Sequence, residues 1–178
     1  MFAERFHMSE GLLRMLNPRK DYLKREETLH VVSVGRSLPS NEARTVETDK
    51  TNGMVRALDA TGKVIAMHPA TIGSEETPSP EGEYQVVRVV KNATYHYDPI
   101  KNFQQGNNKR RLALPKGPNN PVGTVWIELS KPTFGIHGTP EPSRISKASS
   151  HGCVRLTNWD AEELAQIVRP GTTVRFIE

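Results

Sequence analysis

The sequence predicts a mainly β, sandwich-like domain with one helix near its C-terminus and a small helical segment at its N-terminus. Three observations carry this. Short runs rich in β-branched and aromatic residues follow one another from Ala43 onward, turn residues separate them, and a single well-capped helical stretch follows Leu156. At 178 residues and 19.9 kDa the chain has room for one medium domain and a small appendage. A hydrophobic content of 35% and a mean hydropathy of −0.57 are modest, but the length suffices to bury a core.

Residues 1–40 differ in character from the rest and read as an appendage with a linker. Apolar residues at 12, 13, 15 and 16 behind Ser9 as N-cap predict a short helix, which Asn17-Pro18 stops. Leu29 to Val34 reads as a short strand, and Gly35 to Glu42 as a polar linker. The main domain is expected over 43–178. Arg44–Asp49, Met54–Leu58 and Lys63–Thr71 are its first strands, the last two joined in a hairpin by Asp59-Ala-Thr-Gly62. Pro78 and Pro80 exclude helix ahead of Gly82–Lys91, whose Tyr-Gln-Val-Val-Arg-Val-Val run reads as a strand central in the sheet.

Tyr95, His96 and Tyr97 fit either a cleft wall or a strand burying its aromatics. Asp98 to Pro121, with four prolines and five basic residues, reads as a long irregular loop, functional or disordered. Gly123–Ser130 is a further strand, leading through Thr133 to His137. Thr157 with Asp160 three residues on resembles a capping box, so a helix starts there and Arg169-Pro-Gly171 ends it. Thr172–Ile177 is the closing strand.

The net charge of +4 and the pI near 9.3 would suit attraction to an anionic polymer, but the charges are scattered, as on a solvated basic surface. They accompany neither an aromatic-rich strand signature nor a recognition-helix pattern, which argues against nucleic acid as a partner. No apolar run approaches the length that crosses a bilayer. Met1 to Met8 is too polar for a signal peptide and reads as a start inside a longer protein.

The chemistry concentrates in Phe134-Gly-Ile-His-Gly-Thr-Pro140 and Ser149-Ser-His-Gly-Cys-Val-Arg-Leu156. They hold the only cysteine of the chain, two histidines and Arg155. His137 and Cys153 are sixteen residues apart across a Pro- and Ser-rich connection. That length suits a chain that leaves one strand, loops out and returns to bring the two side chains together. A thiol within reach of an imidazole is a minimal activated nucleophile. Backbone N–H groups around Gly152 and Cys153 could face a developing oxyanion. The alternatives for Cys153 are a small buried hydrophobe or, with His137 and His151, a His₂Cys metal site. No carboxylate or fourth ligand near them supports the metal.

HGT, a loop and SHGCVRL resemble the catalytic signature of the L,D-transpeptidase family with the YkuD-type domain. The Gly73 region, Pro80-Glu-Gly-Glu-Tyr84, and Asn120-Pro-Val-Gly123 ahead of Val125-Trp-Ile127 match further, so the resemblance runs from about Ala43 to Glu178. The helix, Leu-Asn-Pro, spacer and strand of residues 1–40 look like the second half of a lysin motif (LysM) without its first strand. A packing appendage is the other reading of that segment.

The family resemblance implies Cys153 as nucleophile, His137 as general base, the Gly138 carbonyl as orienter of the imidazole and the Gly152 N–H as an oxyanion donor. It implies for His151 either a polarising or a loop-holding role. Arg155 would bind a substrate carboxylate or brace the loop, and Ser150 fills the family's Ser/Thr position. The implied reaction is 3→3 crosslinking of peptidoglycan tetrapeptide stems through a thioester, with no metal or organic cofactor, in the periplasm or cell envelope. Hydrolysis by water, exchange with a D-amino acid and attachment of an anchored wall protein are alternative fates of the same acyl-enzyme. A weakly catalytic wall-binding module is an alternative of another kind.

Overall fold

The protein is described here from a computed structural model that covers residues 2–33, 39, 41–74, 77–100, 107–147 and 152–178. The chain divides into two compact units, Met1–Leu38 and Pro39–Glu178. In the first, α1 (Phe2–Arg5) and α2 (Glu10–Leu16) enclose Ala3, Met8 and Leu13. Ser9 caps α2 by accepting from the Leu12 N–H at 3.1 Å. Asn17 ends it and is buried. Its amide donates to the carbonyls of Leu13 (2.8 Å) and His30 (2.7 Å), and its Oδ1 accepts from the His30 N–H at 2.6 Å. The strand expected at Leu29–Val34 is not formed over its described residues, 29–33. The backbone of His30 is bound to the Asn17 side chain, and Val31 and Val32 pack beside the helices, so their apolar character serves this small core. Val34 lies outside the described residues.

The second unit is mainly β. Its strands are β1 (Thr45–Asp49), β2 (Met54–Leu58), β3 (Val64–Pro69), β4 (Thr71–Ile72), β5 (Gly82–Lys91), β6 (Tyr95–Tyr97), β7 (Leu112–Leu114), β8 (Val125–Leu129), β9 (Gly135–His137), β10 (Val154–Arg155) and β11 (Thr173–Ile177). One helix, α3 (Asn158–Ile167), lies between the last two. Nine strands form one sheet in the order β3-β2-β1-β11-β5-β8-β9-β10-β4, and β6 pairs with β7 as a separate ribbon. β5 joins the halves of the sheet. Its first residues pair with β11 and its later ones with β8, with a register shift between Val86 and Arg88.

Alternation along β1, β2, β8 and β11 sends Val46, Val55, Ala57, Val125, Ile127, Leu129, Val174 and Phe176 into one shared core. α3 closes that core with Ala161, Leu164, Ala165 and Ile167, packed against β8 and β9. The two halves thus bury a common interior, as the sandwich-like expectation requires. Thr157 Oγ1 accepts from the Asp160 N–H at 3.2 Å and starts α3 as expected.

Two expectations for this second unit need correction. Lys63–Thr71 is two strands, because Ala70 leaves the ladder to donate its N–H to the Gly53 carbonyl at 2.7 Å. After this break β4 pairs with β10 at the other end of the sheet. The segment 98–121 is not wholly irregular. Leu112-Ala-Leu114 pairs antiparallel with Tyr95-His-Tyr97, although three residues between basic and proline-rich stretches are too few to show a period. Asp98 holds Arg111 at 3.0 Å at the loop end of this ribbon, next to the Tyr97–Leu112 pair.

Ile136 is fully buried between its register partners Ile127 and Val154, behind the face that carries the histidine and cysteine. Ile136→Ala should lower unfolding free energy by about 2–5 kcal/mol, read from chemical denaturation of the whole chain. A loss below about 1 kcal/mol would mean that this layer is not closely packed.

Candidate active site

Three short strands build the site. β9 lies between β8, which runs antiparallel to it, and β10, which runs parallel. The parallel register places Val154 opposite Ile136 and Arg155 opposite His137, and β8 places Trp126 opposite His137. Cross-strand partners share a face, and side chains alternate along a strand. Trp126, His137, Arg155 and, two residues before Arg155, Cys153 therefore belong to one face. Ile127, Ile136 and Val154 take the opposite face and are fully buried. A parallel pair needs a crossover of a dozen or more residues. The Gly138–Gly152 connection, with a 3₁₀ turn at Pro142–Arg144, supplies it.

His137 is buried, and its ring stacks on Trp126 with centroids 5.5 Å apart and planes 25° from parallel. Its Nδ1 lies 2.6 Å from the Gly138 carbonyl oxygen. A carbonyl only accepts, so Nδ1 carries the hydrogen and Nε2 keeps its lone pair. Burial lowers the His137 pKa to about 4; the Gly138 bond works against this, and the Arg155 charge adds to it. Burial pushes the Cys153 thiol up, while an N–H from Gly135 and the charge of Arg155 draw it back. The Cys153 Sγ also lies 3.8 Å from the Thr133 carbonyl oxygen. Burial thus favours the neutral form of each group, thiol and imidazole alike.

Arg155 is half-buried, which lowers its own pKa, and it interacts with Cys153, Arg144 and Glu141. Tyr95 of the β6–β7 ribbon is half-buried near the thiol, and burial followed by the Cys153 charge raises its phenol. Tyr97 is in the interior and His96 is exposed, so the three residues divide between the two roles the sequence allowed. Gly152 has φ of +92°, a conformation glycine adopts without strain, and its carbonyl accepts from Ser79 Oγ at 2.8 Å. The structure thus brings together Cys153, His137, Gly138, Gly152 and Arg155. Ser150 and His151 lie outside the described residues.

Residues 43–176 match the L,D-transpeptidase catalytic domain family, YkuD. The chain belongs to this family. It is 35% identical over 123 residues to the YkuD protein of Bacillus licheniformis, covering 69% of this chain and 59% of that one. The YkuD protein of Bacillus subtilis is 33% identical over 117 residues, covering 66% and 56%. The chain thus spans less than two thirds of the length of these relatives. Among solved structures, L,D-transpeptidase LdtMt1 in complex with imipenem superposes with a TM-score of 0.59 at 17% identity, covering 76% of this chain and 59% of that one. At that identity the likeness concerns the fold.

Trp126, Ser79 and Asn158 were not singled out from the sequence. Asn158 is buried at the first turn of α3. Its Oδ1 accepts from the Thr124 N–H at 3.1 Å and its Nδ2 donates to the Pro118 carbonyl at 3.2 Å. That oxygen lies 2.1 Å from where a Cβ on Gly138 would stand and 2.0 Å from one on Gly123. Asn158 thus ties the start of α3 to Pro118 and Thr124, and its oxygen stands where a Cβ on Gly138 or Gly123 would have to go.

The lowered His137 pKa has a consequence for stability. Below about pH 6.5 the unfolded imidazole takes a proton that the folded one refuses until about pH 4. This contribution is fully present above pH 6.5 and is lost as pH falls toward 4, up to about 3 kcal/mol at ~1.4 kcal/mol per unit. In urea titrations at pH 4 to 7, wild type should lose stability relative to His137→Gln as pH falls. A pH-independent difference between the two would refute the buried neutral imidazole.

Proposed function

We propose that this chain is a peptidoglycan L,D-transpeptidase of the bacterial cell envelope, with residues 43–178 as its catalytic domain. The observation that carries the reading is the buried neutral imidazole of His137, held at Nδ1 by Gly138 on the sheet face that also bears Cys153. Nε2 takes the proton from the Cys153 thiol as sulfur attacks the carbonyl of the third stem residue, a diamino acid. Because both groups rest neutral, proton transfer accompanies attack rather than preceding it. The negative charge on the carbonyl oxygen is met by backbone N–H groups at Gly152 and Cys153. Collapse breaks the bond to the terminal D-alanine, whose amine leaves with the proton from His137, and a thioester remains.

An acceptor amine from a second stem then attacks the thioester. His137 takes its proton and returns it to the departing thiolate, closing a 3→3 crosslink. The Arg155 guanidinium, on the same face, binds a substrate carboxylate and favours charge on the departing sulfur. Ser150 fills the family's Ser/Thr position, and His151 either polarises the site or holds the loop by hydrogen bonds. No step calls for a metal or an organic cofactor. The fold likeness to a transpeptidase in complex with imipenem supports acylation of Cys153 by the same compound class.

Tetrapeptide muropeptides incubated with the protein should lose D-alanine and form a crosslinked dimer by mass spectrometry. Cys153→Ala and His137→Ala should each reduce this by ~10³-fold or more while the domain stays folded. Imipenem should add its mass to wild type and not to Cys153→Ala. Loss of D-alanine without dimer would assign hydrolysis, and near-normal turnover by either variant would remove the mechanism.

A further inference from the structure

We propose that Ser79 is a positioning residue that aims the backbone N–H of Cys153 at the developing oxyanion. The inference rests on the acyl-transfer reading above. Ser79 is 5% exposed, and its hydroxyl donates to the Gly152 carbonyl at 2.8 Å across 73 residues of chain. The Gly152 carbonyl and the Cys153 N–H belong to one planar trans peptide, so they point in opposite directions. Fixing the carbonyl toward Ser79 fixes the N–H on the other side.

The peptide needs such a tie because Gly152 sits at φ +92° and has no side chain to resist rotation. Where a Cβ would stand, the Phe134 ring lies 2.9 Å and the Pro78 carbonyl 3.4 Å away, contacts that leave no room for a side chain to steady the peptide. Ser79 is itself held firmly. It lies between Pro78 and Pro80, and its backbone nitrogen is 2.5 Å from the place of a Cβ on Gly73. Gly73 directly follows β4, which pairs with β10, so the anchor and the anchored peptide belong to adjoining parts of one framework. A preorganised donor costs no reorientation when charge develops, whereas a peptide free to rotate would have to be reoriented at each turnover.

The test separates attack on a carbonyl from attack that generates no oxyanion. p-Nitrophenyl acetate acylates a thiol through a tetrahedral oxyanion: the sulfur–acyl bond forms, the ester bond breaks and p-nitrophenolate leaves. Iodoacetamide alkylates the same sulfur by displacing iodide. In the full chain, Ser79→Ala should lower acylation of Cys153 by about 10- to 100-fold while alkylation changes by less than about threefold. Ser79→Thr, which keeps the hydroxyl, should restore acylation to within about threefold. Parallel losses in both reactions, an unchanged ratio, or a Ser79→Ala chain that no longer folds would each assign Ser79 to structure alone and overturn the proposal. So would a wild-type ratio no higher than that of free cysteine. A chain with the expected ratios that leaves muropeptides untouched would overturn the proposed function and retain the role of Ser79.

Discussion

The parallel pairing of Gly135–His137 with Val154–Arg155 is the constraint on which the site depends. Two residues of register, Ile136 opposite Val154 and His137 opposite Arg155, decide which side chains share a face. A slip of one residue would send Arg155 and Cys153 into the core and Val154 to the surface. The slip is opposed from behind, where Ile127, Ile136 and Val154 are fully buried against the interior that α3 completes. Core packing on one face thus sets chemistry on the other.

The electrostatics of that face follow from burial more than from charge pairing. Removing His137 from water disfavours its cation, and removing Cys153 disfavours its anion, so each group alone is driven to neutrality. Arg155 acts on both in one direction, against a proton on the imidazole and for charge on the sulfur. The arrangement resists a standing thiolate–imidazolium pair and keeps the imidazole unprotonated down to about pH 4. Trp126 contributes by covering one face of the ring, which withholds water from it.

Much of this was legible in the sequence, because the signals were local. Gly82–Lys91 and Met54–Leu58 coincide with their strands, and Ser9 and Thr157 are the helix caps the sequence indicated. The sixteen-residue spacing of His137 and Cys153 fits the length a parallel return requires. The residues missed act through partners distant in sequence. Ser79 meets Gly152 across 73 positions and Asn158 meets Thr124 across 34, and neither pairing leaves a local period or turn signature. The available hint at Ser79 was a lone hydroxyl between two prolines, where backbone freedom is already small. The stretch from Leu29 to Ser33 misled for the opposite reason, since Val31 and Val32, well suited to a strand, found a small helical core to fill.

The position of β11 bears on how the domain comes into being. β11 lies between β1 and β5, parallel to the first and antiparallel to the second. Until residues 173–177 have been synthesised, the half-sheet of β1 to β3 has no edge connecting it to the half that carries Cys153 and His137. Closing it joins segments more than a hundred residues apart, a non-local step of the kind that slows folding. Cys153 would thus precede its finished scaffold on the ribosome by about one helix and one strand, and its surroundings should mature late, when β11 docks.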